Sequence, residues 1–482
     1  MAAHYGVTHP HPAGRLLGAV LAPLMMVLLA GACAQDPEGP GLSGGRTTTT
    51  GAVDVSGTEL TAGLVAFTAC DELLVHLQAE AAQRVGPYGL NGGRYGGPVM
   101  LEAVALAEDS MGDGAATFSP RTADETLVEG QDYSGTNVQE LGIDEPDLIK
   151  TDGRRILVVE DDRLHHVSVA GGTATLTDSL RIKGHWSRQM LLSGDRALLI
   201  ADTHVDGDPE LRPAFSSLVP EGGWRSLTSL IEVDLSDPTD LKIANVLTVE
   251  GYHVSTRVVG GSARVVVSTP PDELPFVYPQ NSNGEERARR FNREVVAETT
   301  LADWMPDFVL ESADGTVVEG PLHECTDVSR PTTFAGLSTL SVLTVPLVEP
   351  LSRPATTAVL AEGSTVYSGN QHLYVSTNAW VDPDALADDQ QRSWWDRNWD
   401  TAIHQFDVSG PTQAAYTGSG EVPGHLLNQF SMSEHDGHLR VASTTGGPWR
   451  FDEDAESMVS VLARRDGALE VVGQVGDMGR GE

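Results

Sequence analysis

A short acidic stretch near the first third of the chain has residue types that could bind a metal ion. Residues 137–153 read NVQELGIDEPDLIKTDG and contain five carboxylates. Asp144, Asp147 and Asp152 could offer side-chain oxygens to Ca²⁺, with backbone carbonyls completing the shell, because Ca²⁺ prefers oxygen ligands. Their spacing does not match the EF-hand loop. The stretch makes Ca²⁺ a candidate cofactor and these three residues its candidate ligands.

The same stretch also has a structural interpretation. Pro146 blocks a helix, and residues 147–151 would then form the first strand of a repeat. The dipeptide Asp152-Gly153 favours a hairpin turn with positive φ. Carboxylates in such positions commonly accept hydrogen bonds from backbone N–H groups. The sequence favours this interpretation over a calcium site, and it favours catalysis by these acids least.

Histidines near predicted turns raise a second question about chemistry, and they are His165, His166, His404, His425, His435 and His438. Metal binding or acid–base catalysis needs imidazoles that converge. Two of them, His435 and His438, flank the dipeptide Asp436-Gly437 and would point apart across a turn. The chain has no His-Glu-x-x-His zinc motif and no phosphate-binding P-loop. We therefore predict structural hydrogen bonding for the histidines and assign no catalytic residue.

The N-terminus resembles a bacterial export signal that ends in a lipobox. An apolar run spans residues 16–32 and stops at Cys33, which would accept a diacylglycerol. Ala30 stands where the lipobox favours Leu. The sequence predicts a signal peptide over residues 1–33, lipid attachment at Cys33, and a Gly/Pro/Thr-rich flexible tether over residues 34–57. The protein is thus expected to be exported and held to the cell membrane.

The remaining two cysteines, Cys70 and Cys325, are a candidate disulfide pair outside the cytoplasm. Two separate buried thiols are the alternative, because sequence alone does not report spatial proximity.

The net charge of −37 limits the choice of partners. Such a surface repels nucleic acids, so no nucleic-acid partner is expected. Basic proteins or cations are compatible with it. A solvated acidic surface without a specific partner is the alternative explanation.

The elements that must hold these residues are a helix and then many short strands. Leu73, Leu74, Leu77, Ala81 and Val85 recur at helical spacing, and Gly86-Pro87 ends that helix. After residue 153, turn residues and β-branched runs alternate in a repeat whose second strands end at Val159, Ile200, Val267, Val375 and Val441. The shortest spacing matches a four-stranded propeller blade of roughly 40–45 residues. The sequence predicts an all-β propeller with about five visible blades.

Two insertions interrupt the repeat. Residues 282–304 have helical periodicity, with Phe291, Val295, Val296 and Leu301 expected roughly on one side. Residues 389–400 carry Trp394, Trp395 and Trp399. These tryptophans are candidate binding residues because amphipathic aromatics anchor interfaces; packing against a neighbouring blade is the alternative.

Four stretches resemble a known family, the secreted β-propeller domain proteins of bacteria and archaea that are distantly related to WD-40 repeats. They are CDELLVHLQAEAAQRVGPYGL (70–90), TNVQELGIDEPDLIKTDG (136–153), TAIHQFDVSG (401–410) and GHLLNQFSMSEHDGHLRVASTTG (424–446). The resemblance implies a signal or lipoprotein anchor, a helical lead-in with a Gly-rich loop over residues 58–133, and a propeller over residues 134–482.

Members of that family usually continue beyond the point that matches GQVGDMGRGE, so the resemblance implies a C-terminally truncated, incomplete ring. A closed ring of five blades is the alternative. The family has no assigned reaction. We therefore expect a membrane-anchored binding or scaffold module that contacts an envelope protein or another extracellular ligand. An extracytoplasmic hydrolase or lyase with its site at the propeller channel is the alternative.

Overall fold

The computed structural model describes residues 63–90, 143–203, 217–219, 225–271, 274–378, 400–445 and 455–479. Cys33, the predicted tether and the three tryptophans of the second insertion lie outside these ranges, so their predicted roles stay predictions. Among the described residues, no helix is long and apolar enough to cross a membrane.

The described chain begins with a strand and a helix and continues into two four-stranded antiparallel blades. The first two elements are β1 (Leu64–Ala66) and α1 (Cys70–Arg84). Blade 1 consists of β2 (Ile149–Thr151), β3 (Arg155–Glu160), β4 (Arg163–Ser168) and β5 (Thr175–Arg181). Blade 2 consists of β6 (His185–Ser193), β7 (Arg196–Thr203), β8 (Leu227–Asp234) and β9 (Lys242–Glu250).

Blade 3 is interrupted by the first insertion. Its first two strands are β10 (Tyr252–Val259) and β11 (Ser262–Thr269). The insertion then forms α2 (Glu285–Glu298), β12 (Asp307–Ser312), β13 (Val317–Pro321) and β14 (Val328–Pro331). The blade is completed by β15 (Thr339–Pro346) and β16 (Ala355–Leu360). The inserted strands β12 and β13 extend blade 2, while β14 and β1 extend blade 3.

The last two blades that the structure describes follow blade 3 along the chain. Blade 4 consists of β17 (Gly363–Ser368), β18 (His372–Asn378), β19 (Asp400–Asp407) and β20 (Ala415–Pro423). Blade 5 consists of β21 (Met432–His435), β22 (His438–Thr444), β23 (Ser457–Arg465) and β24 (Ala468–Met478). The predicted all-β propeller of four-stranded blades is confirmed, and the strands predicted from the repeat are the second strands of the five blades.

Tight hairpin turns account for the regular spacing of the strands. Between β21 and β22, Asp436 and Gly437 have φ of 48° and 72°. Positive φ at both central residues defines the turn type that matches the twist of an antiparallel pair. Glycine adopts that backbone without steric cost, and aspartate tolerates it better than most residues do. The dipeptide Asp436-Gly437 therefore predicts this turn from the sequence alone.

Each pair of successive blades shares a hydrophobic core. Representative fully buried side chains are Leu164 and Ile231 between blades 1 and 2, Leu230 and Val265 between blades 2 and 3, Val266 and Leu373 between blades 3 and 4, and Ile403 and Leu462 between blades 4 and 5. Burying one such aliphatic side chain contributes about 1.5–3 kcal/mol. In the described part of the chain, no core cluster joins blade 5 to blade 1.

A helical layer made of α1 and α2 packs on blade 3. Leu73, Leu77 and Ala81 of α1 are fully buried there, on the face that the sequence predicts. Cys70 and Cys325 form a disulfide with a Cα–Cα distance of 5.2 Å, which fixes the start of α1 beside β14. The helical layer thus joins the start of the described chain to the outer edge of blade 3.

One residue of α2 lies on a different face from the predicted one. Phe291 is 44% exposed, whereas Ala288, Asn292 and Val296 form the buried stripe. Asn292 explains the difference, because its side chain bonds the backbone of Val277 and the carbonyl of Gly86. A buried amide with all of these partners competes well with an aromatic ring for the inner position.

Candidate functional site

The acidic stretch runs across the first strands of two blades before it joins a third. Residues 143–148, called the bridging segment here, pair with β10 and β6. The Val258 N–H donates to the Asp144 carbonyl at 2.9 Å, and Asp147 and Met190 exchange N–H···O bonds of 3.1 and 2.8 Å. The chain then continues into β2 of blade 1. The bridging segment therefore connects blades 1, 2 and 3 along the edges formed by their first strands, β2, β6 and β10.

Asp144 balances a buried lysine. The Lys150 ammonium has no solvent exposure and donates to Asp144 Oδ1 at 2.6 Å and to the Glu145 carbonyl at 2.6 Å. A buried ammonium is costly unless it is paired and hydrogen-bonded. The proline at position 146 and the turn toward β2 bring the carboxylate and the ammonium together although they are six residues apart. Asp144 has a partner within the protein.

Glu145 belongs to a second charged group, the Arg257 network of Glu145, Arg257 and Gln429. Arg257 Nε lies 3.1 Å from Glu145 Oε1, and its NH2 donates to Gln429 Oε1 at 2.6 Å. Burial lowers the pKa of Arg257, and the Glu145 carboxylate opposes that effect. The guanidinium stays charged because its ordinary pKa is so high. The network links the bridging segment, blade 3 and the start of blade 5.

The other two candidate calcium ligands have separate local partners. Asp147 Oδ1 accepts from the Leu148 N–H at 2.6 Å. Asp152, which is 5% exposed, accepts from the N–H groups of Arg154 and Arg155 at 3.0 and 3.1 Å and from the Arg155 guanidinium at 3.0 Å. Asp152 therefore holds the hairpin turn between β2 and β3.

These geometries bear on the calcium hypothesis. Asp144, Asp147 and Asp152 each contact a different donor. Within the ranges that the structure describes, no group of three or more His, Cys, Asp or Glu side chains could hold a metal ion. The calcium site stays a prediction, without an assembled ligand set in that part of the chain.

The histidines singled out from the sequence are spread over three blades. His165 and His166 in blade 1 bond Ser179 and Thr177, both at 2.7 Å. His404 in blade 4 is fully buried between Ser419 at 2.6 Å and Thr377 at 3.1 Å. His425 pairs through its backbone with Thr444, and His435 and His438 flank the turn before β22. The structure does not bring these imidazoles together.

Sequence reasoning missed three histidines that, like His404, bond a serine or threonine side chain: His185 and His323 are buried, and His253 is half-buried. Burial lowers the pKa of His185 and His253 to about 4 and that of His323 to about 3. His185 begins a chain of hydrogen bonds through Thr203, Ser229 and Thr248 that crosses all four strands of blade 2. Neutral imidazoles in such chains join strands. A Ser or Thr on the neighbouring strand, such as Thr203 opposite His185, is the sequence signal that could have identified these histidines.

An exposed apolar turn near the Arg257 network was also missed. Leu427 and Phe430 are 70% and 69% exposed. They flank Asn428, whose side chain accepts from the Phe430 N–H at 2.9 Å and whose N–H donates to Ser431 Oγ at 3.4 Å. Leu427 stands just before the extended N-cap Asn428, and Phe430 lies inside the 3-10 turn Gln429–Ser431. Residues 427–431, called the 427–431 turn here, thus expose a leucine and a phenylalanine within four residues of chain.

The neighbours of this turn hold it in place. Leu426 before it and Met432 after it are buried in the core between blades 4 and 5. Gln429, in the middle of the turn, accepts from Arg257. The two exposed apolar side chains therefore stand on backbone that is fixed at both ends and at its centre.

Comparisons with known proteins agree with this architecture. The model of the Beta propeller domain family matches residues 133–482. The uncharacterized protein MJ1554 of Methanocaldococcus jannaschii is 47% identical over 64 residues, which cover 13% of this chain and 10% of that protein. This chain thus matches about a tenth of the length of that relative.

Solved structures show more distant similarity. An oligogalacturonate lyase in complex with manganese is 11% identical, with a TM-score of 0.27, over 67% of this chain and 62% of that chain. The oligogalacturonate lyase from Vibrio parahaemolyticus is 10% identical, with a TM-score of 0.28, over 67% of this chain and 63% of that chain. The chain spans less than two thirds of either lyase.

The match to the family covers most of the chain, and the five blades and the repeat agree with it. The chain belongs to the Beta propeller domain family.

Proposed function

We propose that this protein is an exported, lipid-anchored β-propeller that binds another protein of the cell envelope through the 427–431 turn. The observation that carries the proposal is the exposure of Leu427 and Phe430, at 70% and 69%, on a turn that capping and core contacts hold in place. A few large apolar side chains dominate the binding energy of most protein interfaces. A turn that is already ordered loses little conformational freedom on binding, which favours affinity.

The charge of the molecule supports a basic partner. A net charge of −37 attracts positively charged surfaces over a distance and accelerates their encounter. Leu427 and Phe430 would supply the short-range contacts that this long-range electrostatic attraction does not provide. The partner we propose therefore has an apolar pocket for Phe430 within a basic surface, and its association slows as salt is added.

The anchoring half of the proposal rests on Cys33 and the tether. The diacylglycerol on Cys33 would hold the protein at the membrane, and residues 34–57 would let the propeller reach a partner there. Trp394, Trp395 and Trp399 are proposed as a second contact region. Replacing Cys33 by Ser should abolish labelling with radioactive palmitate and release the protein from the membrane fraction.

The sequence also allows a hydrolase or lyase at the propeller channel. Its candidate residues have structural contacts instead: Asp144 binds Lys150, Asp152 binds Arg155, and His404 bonds a serine and a threonine. The binding function therefore has the stronger support.

A photo-crosslinking experiment followed by an affinity measurement tests the binding function. A benzophenone amino acid is placed at Phe430 or, as the control, at Val348, which is 75% exposed elsewhere. Irradiation of cells should give an adduct from position 430 alone. The adduct partner is then purified, and Phe430→Ala should weaken its affinity at least tenfold while Val348→Ala leaves it unchanged. Equal affinity of both variants would overturn the proposal.

A further inference from the structure

A histidine of blade 4 and a glutamate of blade 5 meet between the two sheets. His372 begins β18, and Glu434 lies in β21. His372 Nδ1 lies 2.7 Å from Glu434 Oε1, and the two side chains are 17% and 13% exposed. In the part of the chain that the structure describes, blade 5 shares a hydrophobic core with blade 4 alone. His372 and Glu434, called the interblade pair here, therefore cross the interface that holds blade 5.

The backbone around the interblade pair leaves room for the Glu434 carboxylate. The Glu434 N–H donates to the Tyr367 hydroxyl at 2.7 Å, which fixes the start of the side chain. Gly369 lies against the carboxylate in the turn between β17 and β18, and a Cβ at this position would overlap Glu434 Oε2. The Gly369 N–H donates to the His372 carbonyl at 2.8 Å. The turn thus accepts the carboxylate and holds the imidazole beside it.

The other ionisable groups near the interblade pair leave His372 as the source of positive charge for the carboxylate. Burial and the Glu434 charge raise the pKa of Tyr374, so its phenol stays neutral. Asp407 of β19 is the cross-strand partner of His372 and adds negative charge there. Arg464 of β23 interacts electrostatically with Tyr374 and Asp407. Among the described residues, no lysine or arginine lies within 4.0 Å of the Glu434 carboxylate.

The charge of the interblade pair depends on pH, because imidazoles titrate between about pH 5 and pH 8. When it is protonated, His372 donates a charge-assisted hydrogen bond, which is roughly twice as strong as a neutral one. When it is neutral, Nδ1–H can still donate, but the mostly buried carboxylate has no cation beside it. A carboxylate in such surroundings is costly without a charged partner. The attachment of β21 to blade 4 therefore weakens as the imidazole loses its proton.

We propose that the interblade pair is a pH-sensitive contact that holds blade 5 against blade 4 in mildly acidic surroundings and loosens it in mildly alkaline ones. β21 begins at Met432, directly after the 427–431 turn, so a loosened β21 also frees the end of that turn. The effect has the opposite sign to that of buried histidines such as His185, whose neutral form is the native one. The proposal concerns the fold and is independent of binding through the 427–431 turn.

A double-mutant cycle measured by hydrogen exchange tests the proposal. The wild-type chain, His372→Gln, Glu434→Gln and the double variant are compared at about pH 5.5 and about pH 8. Exchange rates are corrected for the intrinsic effect of pH, and the cycle cancels the contribution of every other histidine. The coupling between the two substitutions, measured as protection of β21, should be about fivefold larger at the lower pH. A coupling of equal size at both pH values would overturn the proposal.

A matched control and a measurement without variants complete the test. His435→Gln removes the histidine of an exposed pair with Asp436 at the end of the same strand, so it should leave the protection of β21 unchanged. In the wild-type chain alone, protection of β21 should fall between the lower and the higher pH, whereas protection of β8 in blade 2 should not. A wild-type chain in which β21 and β8 respond alike contradicts the proposal.

Discussion

Blades 2 and 5 have the same four-stranded topology but different patterns of burial. In blade 2, seven consecutive residues of β8, Leu227–Val233, are all buried. In blade 5, burial alternates along β22 and β23, and Leu439 and Leu462 are buried while their neighbours are exposed or partly exposed. Blade 2 has a core on each face, shared with blades 1 and 3, whereas blade 5 has a core on the face toward blade 4.

The difference shows how neighbours determine which residues carry stability. A strand covered on both faces needs side chains that are apolar or fully hydrogen-bonded throughout, whereas a strand covered on one face needs them at every second position. In β8, LTSLIEVD, four of the eight residues are apolar, and the buried Ser229 and Glu232 are hydrogen-bonded to neighbouring side chains. In β22, HLRVAST, buried and exposed residues alternate. The pattern of burial along a strand thus reflects whether one or both of its faces are covered.

The largest expected effect contrasts the two blades directly. Leu230→Ala removes a fully buried side chain between blades 2 and 3 and should lower the free energy of unfolding by about 2–5 kcal/mol. Val461→Ala, on the less buried face of blade 5, should cost less than about 1 kcal/mol. Urea denaturation of the two variants measures this. Equal losses would mean that this face of blade 5 is covered in solution as well as the core between blades 2 and 3 is.

The disulfide tests the cover that the helical layer gives to blade 3. Replacing Cys70 and Cys325 together by Ser removes the covalent link between the helical layer and blade 3. The free energy of unfolding should fall by about 2–5 kcal/mol. Thermal denaturation compares this variant with Cys33→Ser, which should melt like the wild type. An unchanged melting temperature of the double variant under oxidising conditions counts against the link in solution.

The pair of Asp144 and Lys150 tests blade 1, the other blade at an end of the series. Asp144→Asn leaves a buried ammonium without its carboxylate and should cost about 3 kcal/mol. Adding Lys150→Met removes the unpaired charge and should restore most of that loss. Chemical denaturation of both variants completes the test. A double variant less stable than the single one would show that Lys150 has a further role.

The pH dependence of stability should come from buried imidazoles such as His185 in blade 2. Its pKa is about 4 in the folded chain against an ordinary 6.5. As pH falls below 6.5 the unfolded chain binds the proton first, so stability decreases, and it stops decreasing once the folded form also protonates near pH 4. Each such histidine contributes a slope of up to about 1.4 kcal/mol per pH unit. His185→Gln should flatten the profile between pH 6.5 and pH 4, as chemical denaturation at several pH values would measure.

The smallest expected effect concerns the link from blade 3 to blade 5. Gln429→Ala removes the acceptor of the Arg257 NH2 group and should cost about 1 kcal/mol. Hydrogen exchange should speed up in β21 and β22 and stay unchanged in β7 and β8. Faster exchange in blade 2 would show that the contact supports the whole domain rather than blade 5.

Local signals in the sequence predicted most of the fold. Asp436-Gly437 predicted a hairpin, and the Leu73–Leu77–Ala81 stripe predicted a helix, because both depend on a few adjacent residues. Phe291 shows the limit of that approach. Periodicity placed it on one side with Val296, but the amide of Asn292 has partners far away in the chain that a periodicity cannot report.

The candidate site was less accessible to sequence reasoning. The acidic stretch looked like a cluster, yet the cation for Glu145 comes from Arg257, more than a hundred residues away, and the bridging segment turns each acid toward a different donor. The 427–431 turn has no motif, since exposure of Leu427 and Phe430 follows from which neighbours are buried. Long-range pairing and exposure are tertiary properties, so the residues that carry the proposed function could not be read from spacing.

The disulfide between Cys70 and Cys325 has a consequence for the order of events during synthesis. The two residues are 255 positions apart. At about 5–20 residues per second, the second cysteine follows the first by about 13–50 s. During that interval the Cys70 thiol has no native partner, although all residues of blades 1 and 2 have already been synthesised. The helical layer must therefore join blade 3 after those blades are made, and an oxidase that acts too early would find Cys70 unpaired.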